Sequence, residues 1–368
     1  MYRDATVGVV VPAYNEEGFV GDVLRGLPDF VDSVYAVDDC STDGTWAEIL
    51  GAAEAPVRRD GGQTGALRHR DATGDDDRSF LEAPDAAPST VRAFERRVDT
   101  VEVRDDLVAI AHTRNFGAGG AIKTGYLAGL VDGVDVVATI DGDGQMDPRI
   151  MDRIVDPVAE GRVEYAKGTR LVNGGHRGEM PLVRAFGNTA LTYMTKAASG
   201  YWGMTDSQNG YTAISRAALR QLGVEDLFEY YAYCNAVLVR LNVHDFPIAD
   251  VEVPTTYGDE TSDIEISTFV TKVTPMLWRR FCWRLRTKHV DGGVSPVGLL
   301  YAAGALCLLA GSSLRLAADG DSDRRRPTAL AGSGLLALLA AVGTESAASA
   351  GLVEVVPASD HEPAGGDP

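Results

Sequence analysis

The sequence predicts an α/β fold, with a mainly parallel sheet flanked by helices and then C-terminal interfacial and membrane-crossing helices. Three observations predict it. Short β-branched runs alternate with stretches of helical apolar spacing up to about residue 262, the pattern of a sheet covered on both faces. Clusters of Asp, Asn, Ser and Gly stand at the ends of those runs, where open α/β sheets bind ligands. Beyond residue 263 the chain turns first arginine-rich and aromatic, then free of charge.

The first run, Thr6–Val11, stops at Pro12-Ala13-Tyr14-Asn15, and Glu16–Leu27 then carries apolar residues at helical spacing. A second strand, Val31–Val37, ends on Asp38-Asp39-Cys40-Ser41-Thr42-Asp43-Gly44-Thr45, a cluster able to cap the helix Trp46–Ala53. Residues 52–106 are rich in Gly, Asp, Arg and Pro with little apolar periodicity, and read as a solvated, partly disordered insertion without chemistry. Leu107–Ala111 forms a third strand, followed by a helix through Leu130, and Val134–Ile140 a fourth ending on Asp141-Gly142-Asp143-Gly144-Gln145. Residues 1–262 therefore read as one domain.

Residues 263–292 read as amphipathic juxtamembrane helix, with Arg279, Arg280, Arg284, Arg286 and Lys288 set to meet lipid headgroups and Trp278 and Trp283 at the interface. Val294–Leu314 is 21 residues without a charge, against the ~20 needed to cross a bilayer. Ala329–Val342 is a second, interrupted candidate followed by Glu345, so 293–356 is expected to hold one or two spans and 357–368 a disordered tail. The basic residues ahead of the first span, and an opening apolar run too short for a signal peptide, place the N-terminal domain on the cytoplasmic side of the cell membrane. Arg324-Arg325-Arg326 pulls the other way.

Composition narrows the partners. Lys and Arg total 34 against 53 Asp and Glu, a net charge of −19 with only five lysines, which argues against nucleic acid as a partner. Acids spread along the chain read as salt adaptation of the haloarchaeal type. The four cysteines, Cys40, Cys234, Cys282 and Cys307, form no C-x-x-C pair, giving no support for a zinc site or disulfide framework. The six histidines show no ligand spacing.

Two clusters carry chemistry. Asp141 and Asp143, two apart at a strand end with Gln145 beside them, offer hard oxygen ligands suited to Mg²⁺ or Mn²⁺ carrying a diphosphate; alone they equally describe an acidic turn. Asp38-Asp39-Cys40-Ser41 can accept from a nucleobase N–H or simply cap a helix. Arg170, Arg177 and Arg184 either belong to a solvated loop or offer guanidinium forks that match a phosphate.

Val9-Val10-Val11-Pro12-Ala13-Tyr14-Asn15-Glu16-Glu17, Val37–Thr45, Arg114-Asn115-Phe116-Gly117-x-Gly119-Gly120-Ala121 and Asp141–Gln145 occur in an order that resembles the inverting family-2 glycosyltransferases of GT-A fold. Within these, the chain is similar to the polyprenyl-phosphate (dolichyl-phosphate) hexose synthases. Cys40 departs from the glycine common at its position. The resemblance implies a nucleoside pocket lined by Pro12, Ala13, Tyr14 and Glu16, with Asp39 on the base, and a metal held by Asp141, Asp143 and Gln145. It implies that Arg170 and Arg184 receive the acceptor's phosphate. Asp206 in Asp206-Ser207-Gln208-Asn209-Gly210-Tyr211 would orient sugar or acceptor, or act as base toward a hydroxyl, or merely shape a turn. The expected reaction moves a hexose from GDP-mannose, UDP-glucose or UDP-N-acetylglucosamine to polyprenyl or dolichyl phosphate, for glycoprotein or surface glycan assembly. Two competitors are a transferase extending a lipid-linked glycan and a non-catalytic membrane nucleotide-binding scaffold. Oligomeric state is not legible from these residues.

Overall fold

The computed structural model describes residues 1–54, 86–169, 182–230, 232–253, 273–318 and 321–357. Among the described residues, nine strands form one sheet, in the order β3-β4-β2-β1-β5-β7-β6-β8-β9. Five of its eight pairings are parallel, and β3/β4, β5/β7 and β6/β7 are antiparallel. β1 (Val7–Ala13), β2 (Ser33–Asp38) and β5 (Val136–Thr139) are buried along their whole length, as β-branched strands covered on both faces must be. Val7, Val9 and Val11 enter one core with α1 (Val20–Arg25), α2 (Thr45–Glu54) and α5 (Met151–Ala159). Val10 and Val37 face the other core, built on α4 (Ala118–Asp132).

α4 lies so close to β1 that a Cβ on Gly125 would sit 2.3 Å from Val10 Cγ1. Absence of a side chain there sets the helix–sheet distance. That spacing also brings the start of α4 to the ends of β2 and β4 (Leu107–His112).

The expected 52–106 insertion is narrower than its composition suggests. α2 runs through Glu54, and α3 (Pro88–Glu95) and β3 (Val98–Arg104) belong to the fold, β3 pairing antiparallel with β4. Phe94 is buried against the α4 core. Only 55–85 of that stretch lies outside the described residues.

After β6 (Tyr165–Thr169), α6 (Leu182–Ser199), β7 (Thr212–Ser215), α7 (Arg216–Leu222), α8 (Tyr233–Val243) and β8 (Ile248–Glu252), the chain reaches α9 (Thr274–Arg286), packed on α6 and α8. α10 (Pro296–Leu316) and α11 (Asp321–Ser349) then form an antiparallel hairpin. Its seam is made of small residues. A Cβ on Gly311 would meet Ala331 N at 2.4 Å, and one on Gly334 would meet Leu308 N at 2.4 Å, close approach of the kind that joins helices in lipid. Leu306, Leu309, Leu336 and Leu339 point outward and are exposed. Both helices are long and apolar enough to cross a membrane.

Three features of this region correct the sequence reading. Val353–Val356, expected within the span region, is strand β9, which pairs parallel with β8 and returns the chain to the sheet. Arg284, expected to face headgroups, is fully buried. Its Nε donates to Ala198 O at 2.8 Å and its guanidinium pairs with Glu345, which also accepts from Tyr301 Oη at 2.9 Å. Lys288 likewise turns inward, donating to Asn242 O at 2.8 Å and Asp245 Oδ1 at 2.6 Å. The hairpin is thus fixed to the domain at both ends.

Gly125→Ala is expected to lower unfolding stability by about 1–3 kcal/mol, since α4 must move off Val10; chemical denaturation of the purified protein measures it.

Candidate active site

The loops after β1 and β2 are laced together before any ligand arrives. Asn15 N donates to Ser41 Oγ at 3.0 Å, and Asn15 Oδ1 accepts from Thr42 N at 2.9 Å. Glu16 N donates to Thr45 Oγ1 at 2.8 Å, and Gly44 N to Glu17 Oε2 at 3.0 Å. Two left-handed residues make the turns, Asn15 at φ 57° and Cys40 at φ 66°. A glycine would take the Cys40 conformation without strain, the physical reason it is common there. Tyr14 stands 47% exposed at this rim, Glu16 is half-buried, and Pro12 and Ala13 are buried under it.

Asp39 is the hub of the neighbouring turn. Its Oδ1 accepts from Phe116 N at 2.8 Å and pairs with His112 Nδ1 at 2.6 Å, while Oδ2 accepts from Gly117 N at 2.7 Å. A carboxylate has about four acceptor positions, so most of Asp39 is spent holding the β4–α4 turn. At 2% exposure it acts first as a clamp. The glycine run after it also packs: a Cβ on Gly119 would meet Glu229 O at 2.9 Å, and one on Gly120 would meet Phe116 Cβ at 2.4 Å.

Beside β1, the chain leaving β5 reaches Asp141 and Asp143. Gly142 N donates to Pro12 O at 3.1 Å, and a Cβ there would meet that oxygen at 2.9 Å. Only glycine lets the acidic turn lie against the β1 loop. Asp143 Oδ1 accepts from Gln145 N at 3.0 Å, whereas no donor among the described residues reaches the Asp141 carboxylate. Burial pushes Asp141 up to about 7, and the charge of Asp143 adds to the push. Two carboxylates set this close, one of them pushed toward neutrality by burial and by the other's charge, fit a divalent cation. No group of three or more His, Cys, Asp or Glu side chains converges among the described residues. Two hard carboxylates are a ligand set that Mg²⁺ or Mn²⁺ could use together with substrate phosphates. Gln145 is exposed next to them.

On the other flank, Asp206–Tyr211 closes over this turn. A Cβ on Gly210 would sit 3.0 Å from Asp141 Oδ2. Asp206 is buried and its Oδ1 accepts from Gln208 N at 3.1 Å. Beneath it lies an ion pair that joins facing residues of β6 and β8, Lys167 Nζ to Asp250 Oδ1 at 2.6 Å, both fully buried. Lys167 also donates to Asp206 O, and Asp250 Oδ2 accepts from Thr205 N at 2.6 Å. The pair thereby fixes the turn that carries Asp206. Cys234 on α8 is buried nearby, its thiol pushed up to about 12, chiefly by burial.

A model of the family described as Glycosyl transferase family 2 matches residues 8–68 and 90–223. The chain belongs to glycosyl transferase family 2. This family-2 enzyme is a glycosyltransferase, and its helix-flanked sheet is the GT-A layout. It is 27% identical over 257 residues to the UDP-N-acetylglucosamine–dolichyl-phosphate N-acetylglucosaminyltransferase of Methanococcus voltae, covering 70% of this chain and 88% of that one. It is also 27% identical over 257 residues to the polyprenol monophosphomannose synthase of Mycolicibacterium smegmatis, covering 68% and 77%. A similar solved structure is glucosyl-3-phosphoglycerate synthase from Mycobacterium tuberculosis in complex with Mg²⁺ and uridine-diphosphate, at 19% identity, 76% and 80% coverage and a TM-score of 0.46.

The structure of the transferase brings together Pro12, Ala13, Asp141, Asp143 and the Asp206 turn, with Tyr14, Glu16 and Gln145 at the rim. Asp39 stands at the end of the adjacent strand β2, one step across the sheet from β1. Arg170 and Arg177 lie outside the described residues. Arg184 is placed on α6 by its backbone, and its side chain lies outside them. Sequence reasoning missed His112, Lys167 and Asp250. A lysine and an aspartate in the middle of otherwise apolar strands were the available signal for the last two.

Lys167→Met is expected to destabilise the transferase by about 3–5 kcal/mol, because Asp250 is left charged and buried. Thermal or urea unfolding measures this, and the double substitution Lys167→Met/Asp250→Leu should recover much of the loss.

Proposed function

We propose that this transferase moves a hexose from a nucleotide sugar to polyprenyl or dolichyl phosphate at a membrane surface, inverting the anomeric centre. The observation that carries the reading is the Asp141–Asp143 pair, set between the nucleotide-side loops and the Asp206 turn on a domain fixed to an apolar hairpin. The acceptor class is supported by the relatives in Methanococcus voltae and Mycolicibacterium smegmatis, whose names specify dolichyl phosphate and polyprenol.

The chain's own groups divide the work. Pro12 to Glu16 and the Asp39-clamped turn would seat the nucleoside, and Asp141 and Asp143 would hold a divalent cation against the diphosphate. That cation would offset charge developing on the leaving nucleoside diphosphate. A lipid phosphate, whose second pKa is near 6, already carries an anionic oxygen at neutral pH. It needs alignment more than a base. Asp206, buried and held by its own turn, would orient the acceptor side. Arg170 and Arg184 would receive the acceptor phosphate.

Anchoring follows from the hairpin. The 21 residues of α10 and 29 of α11 span about 31 and 43 Å at 1.5 Å per residue. Because β9 rejoins β8, a crossing hairpin leaves the catalytic domain and residues 353–357 on one membrane face and the α10–α11 turn on the other. We read the domain's face as cytoplasmic, where nucleotide sugars are made.

The test incubates membranes carrying the full chain with each labelled GDP- or UDP-hexose and polyprenyl phosphate, plus divalent metal. The expected product is a mild-acid-labile lipid-phosphate sugar, lost in Asp143→Ala by about 100-fold or more while the variant keeps its unfolding midpoint. Transfer only to a lipid-linked oligosaccharide would replace this reading with glycan extension, and undiminished turnover of the variant would remove the metal assignment.

A further inference from the structure

A second recess opens at the same edge of the sheet, between α3 and the β4–α4 turn. Its volume is about 700 Å³. Among the described residues, Arg92, Arg96, Arg97, Arg114 and Lys123 line it with one carboxylate, Glu225. None of Tyr14, Asp141, Asp143 or Gln145 contributes to its wall.

The charges in this wall are of two kinds. Arg97 and Lys123 are nearly buried and share one carboxylate, Glu229 Oε1, at 2.6 and 3.0 Å. Arg97 is held further by Thr124 Oγ1 at 2.8 Å and Gly120 O at 3.1 Å. Burial alone would raise Glu229, yet the hydrogen bonds and charges of Lys123 and Arg97 keep it below the usual carboxylate range. These two cations form a rigid floor. The other three are exposed donors: Arg92, Arg96 and Arg114 make no ion pair or hydrogen bond to another side chain among the described residues. The Arg114 guanidinium rests 4.8 Å from the Phe116 ring centroid, with Arg97 4.1 Å from the same ring. Five cations against Glu225 and Glu229 leave the recess about three charges positive, in a chain whose net charge is −19. Surface charge of that sign, gathered in a concave site against the trend of the whole protein, focuses the field on an anion.

We propose that this recess binds a phosphate-bearing anion, with the Arg92, Arg96 and Arg114 forks on its oxygens above the Arg97–Lys123 floor. Guanidinium forks pair bidentately with phosphate, and each charge-assisted bond is roughly twice as strong as a neutral one. Arg92 on α3 and Arg96 at its C-cap, still in helical conformation, are four residues apart and fall on the same side. The ligand is either a free phosphate compound or an anionic lipid headgroup, since both present the same oxygens.

The test is calorimetric titration of the full detergent-solubilised chain without divalent metal, using inorganic pyrophosphate in one arm and dioctanoyl phosphatidic acid in the other. Saturable binding of one equivalent is expected in at least one arm, weakened about tenfold or more in Arg92→Ala/Arg96→Ala and unchanged in the charge-matched control Arg25→Ala/Arg220→Ala. Preference for pyrophosphate assigns a free phosphate ligand; preference for the lipid assigns a headgroup. Absence of saturable binding in both arms, or equal weakening by the control pair, overturns the proposal.

Discussion

The constraint on which the rest of the molecule turns is the placement of two carboxylates at the end of a fully buried strand. Burial raises Asp141 toward neutrality and the charge of Asp143 adds to the push, so keeping the Asp141 carboxylate ionised carries an electrostatic cost that a bound cation would offset. Much of the surrounding architecture keeps that pair in position. Gly142 lets the turn touch Pro12 O, Gly210 lets the Asp206 segment lie over it, and the Lys167–Asp250 pair fixes the far side of the same segment. A site that works against stability is held by interactions whose removal is expensive.

Asp39 solves a related problem by the opposite means. Its charge is answered by two backbone N–H groups and a histidine, which joins the ends of β2, β4 and α4 into one rim. Any contact with a nucleobase is made by a carboxylate already fixed in direction, which costs little ordering on binding. The same clamp positions Phe116, and through it the two guanidinium groups stacked on its ring. The Asp39 rim and the basic recess therefore share one rigid turn.

Much of this was legible in the sequence because the informative features are local. β1, β2, β4 and β5 announce themselves as β-branched runs, and each motif stands at a strand end where the chain must turn. The features that were not legible depend on partners far along the chain. Arg284 reads as a headgroup contact until Glu345, 61 residues later, is seen beside it. Lys167 and Asp250 read as strand anomalies until β6 and β8 are paired. β3 is hidden by its half-exposed edge position and the Asp- and Arg-rich stretch around it. β9 is only four residues, Val353–Val356, after an alanine-rich helix, and its identity is decided by the open edge of β8 rather than by its own propensity.

The central claim is that the Asp141–Asp143 pair holds a divalent cation that in turn holds a diphosphate. Binding of Mn²⁺ to the full chain, followed by electron paramagnetic resonance with and without nucleoside diphosphate, tests it most directly. The account predicts weak Mn²⁺ binding to the protein alone, tightened about tenfold or more by the diphosphate, with both lost in Asp141→Asn/Asp143→Asn. Mn²⁺ affinity indifferent to the diphosphate, or retained by the double variant, would contradict it.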